Sequence, residues 1–261
     1  MHPIINIATK AARNAGNIIV RHADRIDTLS ISSKRNNDFV SEIDRKAEQE
    51  IISVLQKAYP DYGVLAEESG VSGNPDEFQW VIDPLDRTTN YLHGFPQYAI
   101  SIALKHRGIL EHGVIYDPLR QELFTASRGA GAYLNDRRLR ARAHKNLKGA
   151  LLGTGFPFRD HQNLDSYLES FKALFALCAD IRRAGSAALD LAWVAAGRLD
   201  GFWEMGLSEW DFAAGVLLIR EAGGVVTDFN GDDDFMTSGN LVAANIKIHQ
   251  LMLRTLQNQQ T

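Results

Sequence analysis

The chain has 261 residues, 28 basic and 32 acidic side chains, and a formal net charge of −4, which argues against a general coat for nucleic acid. Hydrophobic residues make up 45% and charged residues 23%, an ordinary globular balance with enough apolar mass for a sizeable core. The single cysteine, Cys178, excludes an intrachain disulfide and a Cys-based zinc site, and no apolar stretch reaches the roughly 18–20 residues that a membrane span needs.

Residues 1–6 lack a charged start followed by a long apolar run, so no signal peptide is expected, and with no disulfide to maintain, a reducing cytoplasm suits the chain. Residues 3–22 place Ile4, Ile7, Ala8, Ala11, Ala12, Ala15, Ile18 and Ile19 at spacings of three and four, which predicts an amphipathic helix. Residues 28–33 alternate as a strand, and 34–38 read as a polar loop. Ser41 ahead of Glu42, Ile43 and Asp44 marks a helix start with acids in the first turn, and the apolar period carries that helix to Pro60. Residues 63–66 form a short strand running into Glu67 and Glu68, with a polar loop over 69–77. Trp80-Val81-Ile82 predicts a buried strand that Pro84 stops, which puts Asp83 and Asp86 on the turn leaving a strand end.

Three β candidates follow over 98–105, 110–116 and 122–126, punctuated by Gly108, Asp117-Pro118 and Gly129. Residues 136–148 are basic, with Arg137, Arg138, Arg140, Arg142, Lys145 and Lys148. Then come a small-residue strand over 150–154, a helix over 162–179, a brief segment over 181–184, and a helix that Gly185-Ser186 opens and that runs to 196. A strand over 199–204 precedes a helix over 210–222 that Gly223-Gly224 ends. Strands over 225–228 and 241–244 and a closing helix over 246–256 complete the chain. No Pro/Gly/Ser-rich linker and no internal repeat divides it. Strands cluster in the first half and alternate with helices in the second, which predicts an α+β or layered α/β fold with more than one sheet.

The chemistry concentrates in carboxylates. Asp83 and Asp86 close to one another repel unless a cation sits between them, and a hard cation with oxygen ligands, Mg²⁺ above all, is the natural guest. A hydrogen-bonded turn is the plainer use of the same residues. Asp211 opens a helix, where it either caps or, with the helix N-terminus, meets an anion. Thr88-Thr89-Asn90 carries the same double reading, and the helix dipole alone accounts for Asp44. Glu67 and Glu68 are an ordinary solvated pair unless other acids join them. The basic run reads first as a solvated hairpin and second as a phosphate- or RNA-facing surface. Asp232-Asp233-Asp234 lacks the spacing of a calcium loop and reads as a solvated turn. Cys178 beside Leu174 and Leu177 reads as buried filler in an apolar helix. His93 and His161 fall in loops without a second ligand at zinc spacing. The chain holds no Gly-x-Gly-x-x-Gly, P-loop, Gly-x-Ser-x-Gly or His-Glu-x-x-His motif.

Four blocks together resemble the inositol monophosphatase family. Trp80-Val81-Ile82-Asp83-Pro84-Leu85-Asp86 with Thr88-Thr89-Asn90 is similar to its first signature, and Trp210-Asp211-Phe212-Ala213-Ala214-Gly215 with Glu221-Ala222-Gly223-Gly224 to its second. Ala66-Glu67-Glu68-Ser69 and Asp38-Phe39-Val40-Ser41-Glu42-Ile43-Asp44 match two further blocks in order and spacing. The resemblance covers nearly the whole chain and extends to its bacterial members across Gly153-Thr154-Gly155-Phe156-Pro157-Phe158 and Arg183-Ala184-Gly185-Ser186.

The resemblance implies an αβαβα sandwich, one domain over residues 1–261, and a Mg²⁺-dependent, lithium-sensitive phosphomonoesterase that is commonly a homodimer. Inositol monophosphate or a related sugar monophosphate is the implied substrate. By matching position, Glu67, Asp83 and the Leu85 carbonyl would hold a first metal, Asp83, Asp86 and Asp211 a second, and Glu67 with waters a third. Thr88 and Asp44 would activate the attacking water. Glu67, Asp86, Arg87, Thr88, Ala187, Glu204 and Asp211 would face the substrate. Bacterial members are also linked to transcription antitermination, which brings RNA polymerase and Nus factors as implied partners of a chain that relies little on catalysis. The basic run and Arg182-Arg183 are the surfaces that suit this alternative.

Two residues depart from the family pattern. Arg87 stands where the family has Gly, a residue that allows a positive φ or a close backbone approach. Ser208 stands where animal members have His, which bears on substrate preference.

Overall fold

The computed structural model describes residues 2–23, 31–35, 38–157 and 164–258, with side chains described over 2–23 and from 41 onward within those ranges. The first half runs α1 (Pro3–His22), β1 (Ile31–Arg35), β2 (Asp38–Ser41), α2 (Glu42–Ala58), β3 (Gly63–Ala66), β4 (Gly70–Ser72), β5 (Phe78–Asp86), α3 (Thr88–Leu92), β6 (Ala99–His106), β7 (Ile109–Asp117), β8 (Glu122–Ser127), β9 (Gly131–Leu134) and β10 (Arg137–Arg138). The second half runs β11 (Leu151–Thr154), α4 (Leu164–Phe175), β12 (Asp180–Arg182), α5 (Ala187–Ala195), β13 (Gly201–Glu204), α6 (Glu209–Glu221), β14 (Val225–Thr227), α7 (Phe235–Ser238), β15 (Leu241–Ala244) and α8 (Ile246–Gln257).

Eight strands form one sheet in the order β10-β9-β8-β7-β6-β5-β3-β4, and five form a second in the order β12-β11-β13-β15-β14. In the larger sheet β3 and β5 are parallel and the other pairs antiparallel. Side chains of β5 alternate between faces. Trp80 and Ile82 enter the core under α1 and α2, and Val81 enters the core around α5 and α6. A strand covered on both faces reads as a continuous apolar run, which is why Trp80-Val81-Ile82 carries no polar interruption. A third cluster, including Leu152, Trp203, Val242, Ile248 and Met252, packs the smaller sheet against α4 and α8. The layers are therefore α1/α2, the larger sheet, α5/α6, the smaller sheet, and α4/α8, the sandwich that the family resemblance implies.

The structure corrects several local expectations. Pro84 does not stop β5. The strand continues to Asp86, and its pairing with β6 slips between Asp83↔Ser101 and Asp86↔Ala99. Pro84 is tolerated because it falls in that bulge, where no ladder donor is needed. Of the segment predicted as a polar loop over 34–38, Lys34 and Arg35 end β1 and Asp38 begins β2, which pairs antiparallel with it, while residues 36 and 37 lie outside the described residues. The short strands β4, β9 and β10 went unpredicted because two to four residues carry little period. Cys178 lies beyond the end of α4, half-buried in a turn, and is not filler within a helix. Residues 28–30, 162 and 163 of the predicted elements, and His161, lie outside the described residues. Among the described residues no helix is long and apolar enough to cross a membrane.

Candidate metal centre

The bulge at the end of β5 is what gathers the acids. It turns Asp83 and Asp86 toward the N-terminus of α6, where Asp211 sits in the first turn. One carboxylate oxygen from each of Asp83, Asp86 and Asp211 lies within 4.8 Å of the others, and all three residues are buried. The backbone holds each in place. Leu85 N–H donates to Asp83 Oδ1 at 3.0 Å, and Ser208 N–H donates to Asp211 Oδ2 at 2.7 Å. Asp86 Oδ2 accepts from Ser186 Oγ at 2.6 Å and from the Ala188 amide at 2.9 Å. Glu67 follows β3, its amide bonded to the Ile82 carbonyl at 3.1 Å, and its carboxyl shares a hydrogen bond with Asp83.

Burial raises the affinity of Asp83, Asp86 and Glu204 for protons. Asp83 is pushed well above the usual carboxylate range, first by desolvation and then by Glu67, Asp86 and Asp211. Desolvation raises Asp86 to about 6, against the opposing pull of the Ser186 and Ala188 hydrogen bonds and the Arg87 charge. Glu204, at the end of β13, is lifted by burial to about 8, with Arg183 and Arg87 acting the other way. Buried carboxylates of one sign are costly unless a cation offsets them, and an all-oxygen donor set suits a hard divalent cation. The residues present therefore fit the group the resemblance implies, with Asp83, Asp86 and Asp211 as its core and Glu67 beside them.

Asp44 stands next to this cluster from the opposite layer. It is the third residue of α2, where its Oδ2 accepts from the Ser41 amide at 2.9 Å and from Ser41 Oγ at 2.5 Å, so it does cap its helix. Its other oxygen, Oδ1, accepts from Thr88 Oγ1 at 2.5 Å. Asp211, read as a cap, does close a capping box at α6, and Asp44, read as a partner of the helix dipole, closes one at α2 as well. Desolvation raises the Asp44 carboxyl, with the Ser41 and Thr88 hydrogen bonds opposing.

Of the residues expected at the substrate side, Asp86, Thr88, Asp211 and Glu204 are buried and converge on this region. Ala187 opens α5, and the amide of the next residue, Ala188, donates to Asp86. Arg87 has φ 77° and ψ 60°, the left-handed conformation that the family's glycine adopts without cost and that costs another residue roughly 1–2 kcal/mol. Glu68 donates its amide to the Glu48 carboxylate at 2.8 Å. His93 is exposed at the end of α3, and Asp232, Asp233 and Asp234 are solvated as expected. The residues that sequence reasoning missed are Ser186 and Gly155. Ser186 caps α5 through its Oγ, a role legible in Gly-Ser ahead of an alanine-rich run. Gly155 carries no sequence signal; a Cβ there would lie 1.9 Å from the Glu204 carboxyl.

A layered fold with a buried carboxylate centre at its strand ends places the chain in a class, and comparison with known proteins defines the class further. The model of the inositol monophosphatase family matches residues 1–261. The protein named Nus factor SuhB of Pseudomonas aeruginosa is 56% identical over 262 residues, covering 98% of this chain and 97% of that one. Nus factor SuhB of Escherichia coli K12 is 50% identical over 260 residues, covering 99% and 97%. Among solved structures, the extragenic suppressor protein suhB from Bartonella henselae superimposes with a TM-score of 0.95 at 45% identity, covering 98% and 99% of the two chains. An IMPase from Thermotoga maritima does so with a TM-score of 0.89 at 32% identity, covering 98% and 97%. The chain belongs to the inositol monophosphatase family.

Proposed function

We propose that the protein is a Mg²⁺-dependent phosphomonoesterase that hydrolyses inositol monophosphate or a related sugar monophosphate. The observation that carries this reading is the convergence of Asp83, Asp86 and Asp211 within 4.8 Å. Glu67, these three aspartates and the Leu85 carbonyl would hold the cations. When bound, they would supply charge neutralisation on the phosphoryl oxygens and acidify water. Thr88 has one hydroxyl hydrogen, and the short contact to Asp44 fixes it there, since the Leu85 carbonyl is 3.5 Å away. The Thr88 oxygen would then accept the proton of an attacking water while its own proton passes to the buried Asp44 carboxylate, which holds it. Glu204, Asp86 and the end of α5 would meet the sugar hydroxyls. No covalent nucleophile is needed. The protein acts as one domain in the cytoplasm, as a homodimer, and is inhibited by lithium.

The test is Mg²⁺-dependent phosphate release from inositol 1-phosphate by folded protein, over a small panel of sugar phosphates and with Li⁺ as inhibitor. No turnover at any Mg²⁺ concentration would sink the reading.

A second reading is favoured by the name of the relatives, Nus factor SuhB: an interaction protein in transcription antitermination that engages RNA polymerase or Nus factors. The exposed Arg137, Arg138, Arg140 and Arg142 are the surface that suits it. Pull-down of RNA polymerase with purified Nus factors supports it. No retention at low salt, alongside normal turnover, removes it.

A further inference from the structure

Arg87 lies between Asp86 and Thr88, and its guanidinium stays at the acidic centre. Its Nε is 3.2 Å from the point where a Cβ on Gly185 would stand, with Arg183 Nη1 and Asn90 Nδ2 at 2.7 and 3.3 Å from the same point. Gly185 has φ +100° and directly precedes Ser186, the residue bonded to Asp86 Oδ2. The missing side chain of Gly185 thus leaves the room in which the guanidinium lies, within one residue of the Asp86 contact. Asn90 is itself fixed there, its Nδ2 donating to the Gln97 carbonyl at 2.7 Å and to the Ala184 carbonyl at 3.0 Å.

A fixed positive charge beside a cluster of carboxylates repels any cation that enters the cluster, and a dication twice as strongly as a monocation at the same place. The repulsion is largest where water is excluded, and Asp83, Asp86 and Asp211 are all buried. Arg87 is among the charges that lower the Asp86 and Glu204 carboxyls, behind Arg183 on Glu204. Arg183 supplies a second guanidinium nearby, but it is directed over the Phe156 ring at 4.7 Å to the centroid, whereas Arg87 is tethered next to Asp86 by the chain itself.

We propose that Arg87 is a resident counter-cation of the acidic centre, which offsets part of the carboxylate charge in the metal-free protein and weakens the binding of divalent cations there. The proposal rests on the metal reading given above. It makes Arg87 a residue that sets the cation concentration at which the centre fills, acting through Asp86 and with no contact to the phosphoryl group required.

The experiment is titration with Mn²⁺, followed by the electron paramagnetic resonance of the free ion, on the wild type and on Arg87→Gln, Arg87→Gly and Arg87→Lys. The Gln variant removes the charge and keeps a side chain on the left-handed backbone, the Gly variant removes both, and the Lys variant keeps the charge. Gln and Gly are expected to bind Mn²⁺ about tenfold more tightly than the wild type, and Lys within about threefold of it. In thermal unfolding, the gain in Tm on adding Mg²⁺ is expected to be larger in Arg87→Gln than in the wild type, with the metal-free variant melting lower.

Wild-type affinity in Arg87→Gln overturns the proposal, and tightening in Arg87→Gly alone overturns it in favour of backbone relief. Failure of every variant to bind Mn²⁺ overturns both this proposal and the metal reading. Tighter Mn²⁺ binding in a protein that hydrolyses no phosphate leaves this proposal standing and removes only the enzymatic one.

Discussion

Thr88 Oγ1 donates to Asp44 Oδ1 at 2.5 Å, a contact that joins the end of β5 to the first turn of α2 across 44 residues of chain. Asp44 can serve it because its other oxygen is occupied by Ser41. The same carboxyl therefore anchors a helix and orients a hydroxyl. Thr88→Val removes the hydroxyl and keeps the shape. It is expected to lower kcat by a factor of about 10²–10⁴, the range for a lost proton-transfer group, with Mn²⁺ affinity unchanged. Parallel phosphate-release kinetics and Mn²⁺ titration check this. Loss of metal binding along with rate would show that Thr88 shapes the cation site instead.

Removing one acid from the centre should separate folding from cation binding. Asp83→Asn eliminates the most strongly repelled carboxylate while nearly preserving volume. The metal-free variant is expected to melt above the wild type, by about 2–4 °C for each kcal/mol of repulsion relieved. Its Tm should no longer rise on adding Mg²⁺. Calorimetry with and without the ion measures both, and a retained Mg²⁺ response would exclude Asp83 as a ligand.

Gly155 offers a way to re-aim Glu204 without changing its chemistry. The Cβ of Gly155→Ala would lie 1.9 Å from the Glu204 carboxyl, the movable end of a side chain, so Glu204 must swing away. On the proposal that Glu204 meets the sugar hydroxyls, KM is expected to rise about tenfold or more with a smaller change in kcat, the signature of lost ground-state contact. Steady-state kinetics beside a thermal melt distinguish this from unfolding. An unchanged KM would remove Glu204 from the substrate site.

A pH effect is expected far from the centre. Arg198 grips Glu122 with two parallel hydrogen bonds of 2.5 Å, tying the segment after α5 to β8. The pair holds the Glu122 carboxyl below its ordinary value. A depressed folded-state value means that the contribution is present above the unfolded pKa of 4.5 and lost as pH falls through the folded one. Both side chains are partly solvated, so the contribution is at most about 1 kcal/mol. Glu122→Gln should lower stability to urea at pH 7 and have no effect at pH 3. An equal loss at both pH values would assign the effect to packing.

Much of the molecule is legible from the residue pattern, for reasons that differ by element. The helix periods of α1, α2, α6 and α8 and the acids of the centre are legible because burial imposes a period and because four separated blocks agree. What sequence reasoning misplaced is tertiary in origin. Pro84 reads as a stop, yet a bulge absorbs it and so presents Asp83 and Asp86 together. The contact of Gly155 with Glu204 joins residues from two strands, β11's end and β13, that pair only in the folded sheet. Cys178 fell outside its predicted helix because α4 ends at Phe175, two turns of sequence pattern notwithstanding.

The position of Asp211 on α6, a helix wedged between the two sheets, has a consequence for the growing polypeptide. A chain still on the ribosome can already hold Asp83 and Asp86 in a finished larger sheet, since all eight of its strands precede residue 139. It cannot hold Asp211 until α6 has emerged. Nascent chains arrested before that helix should therefore lack the Asp83, Asp86 and Asp211 site, and release past it should complete that site within a single element.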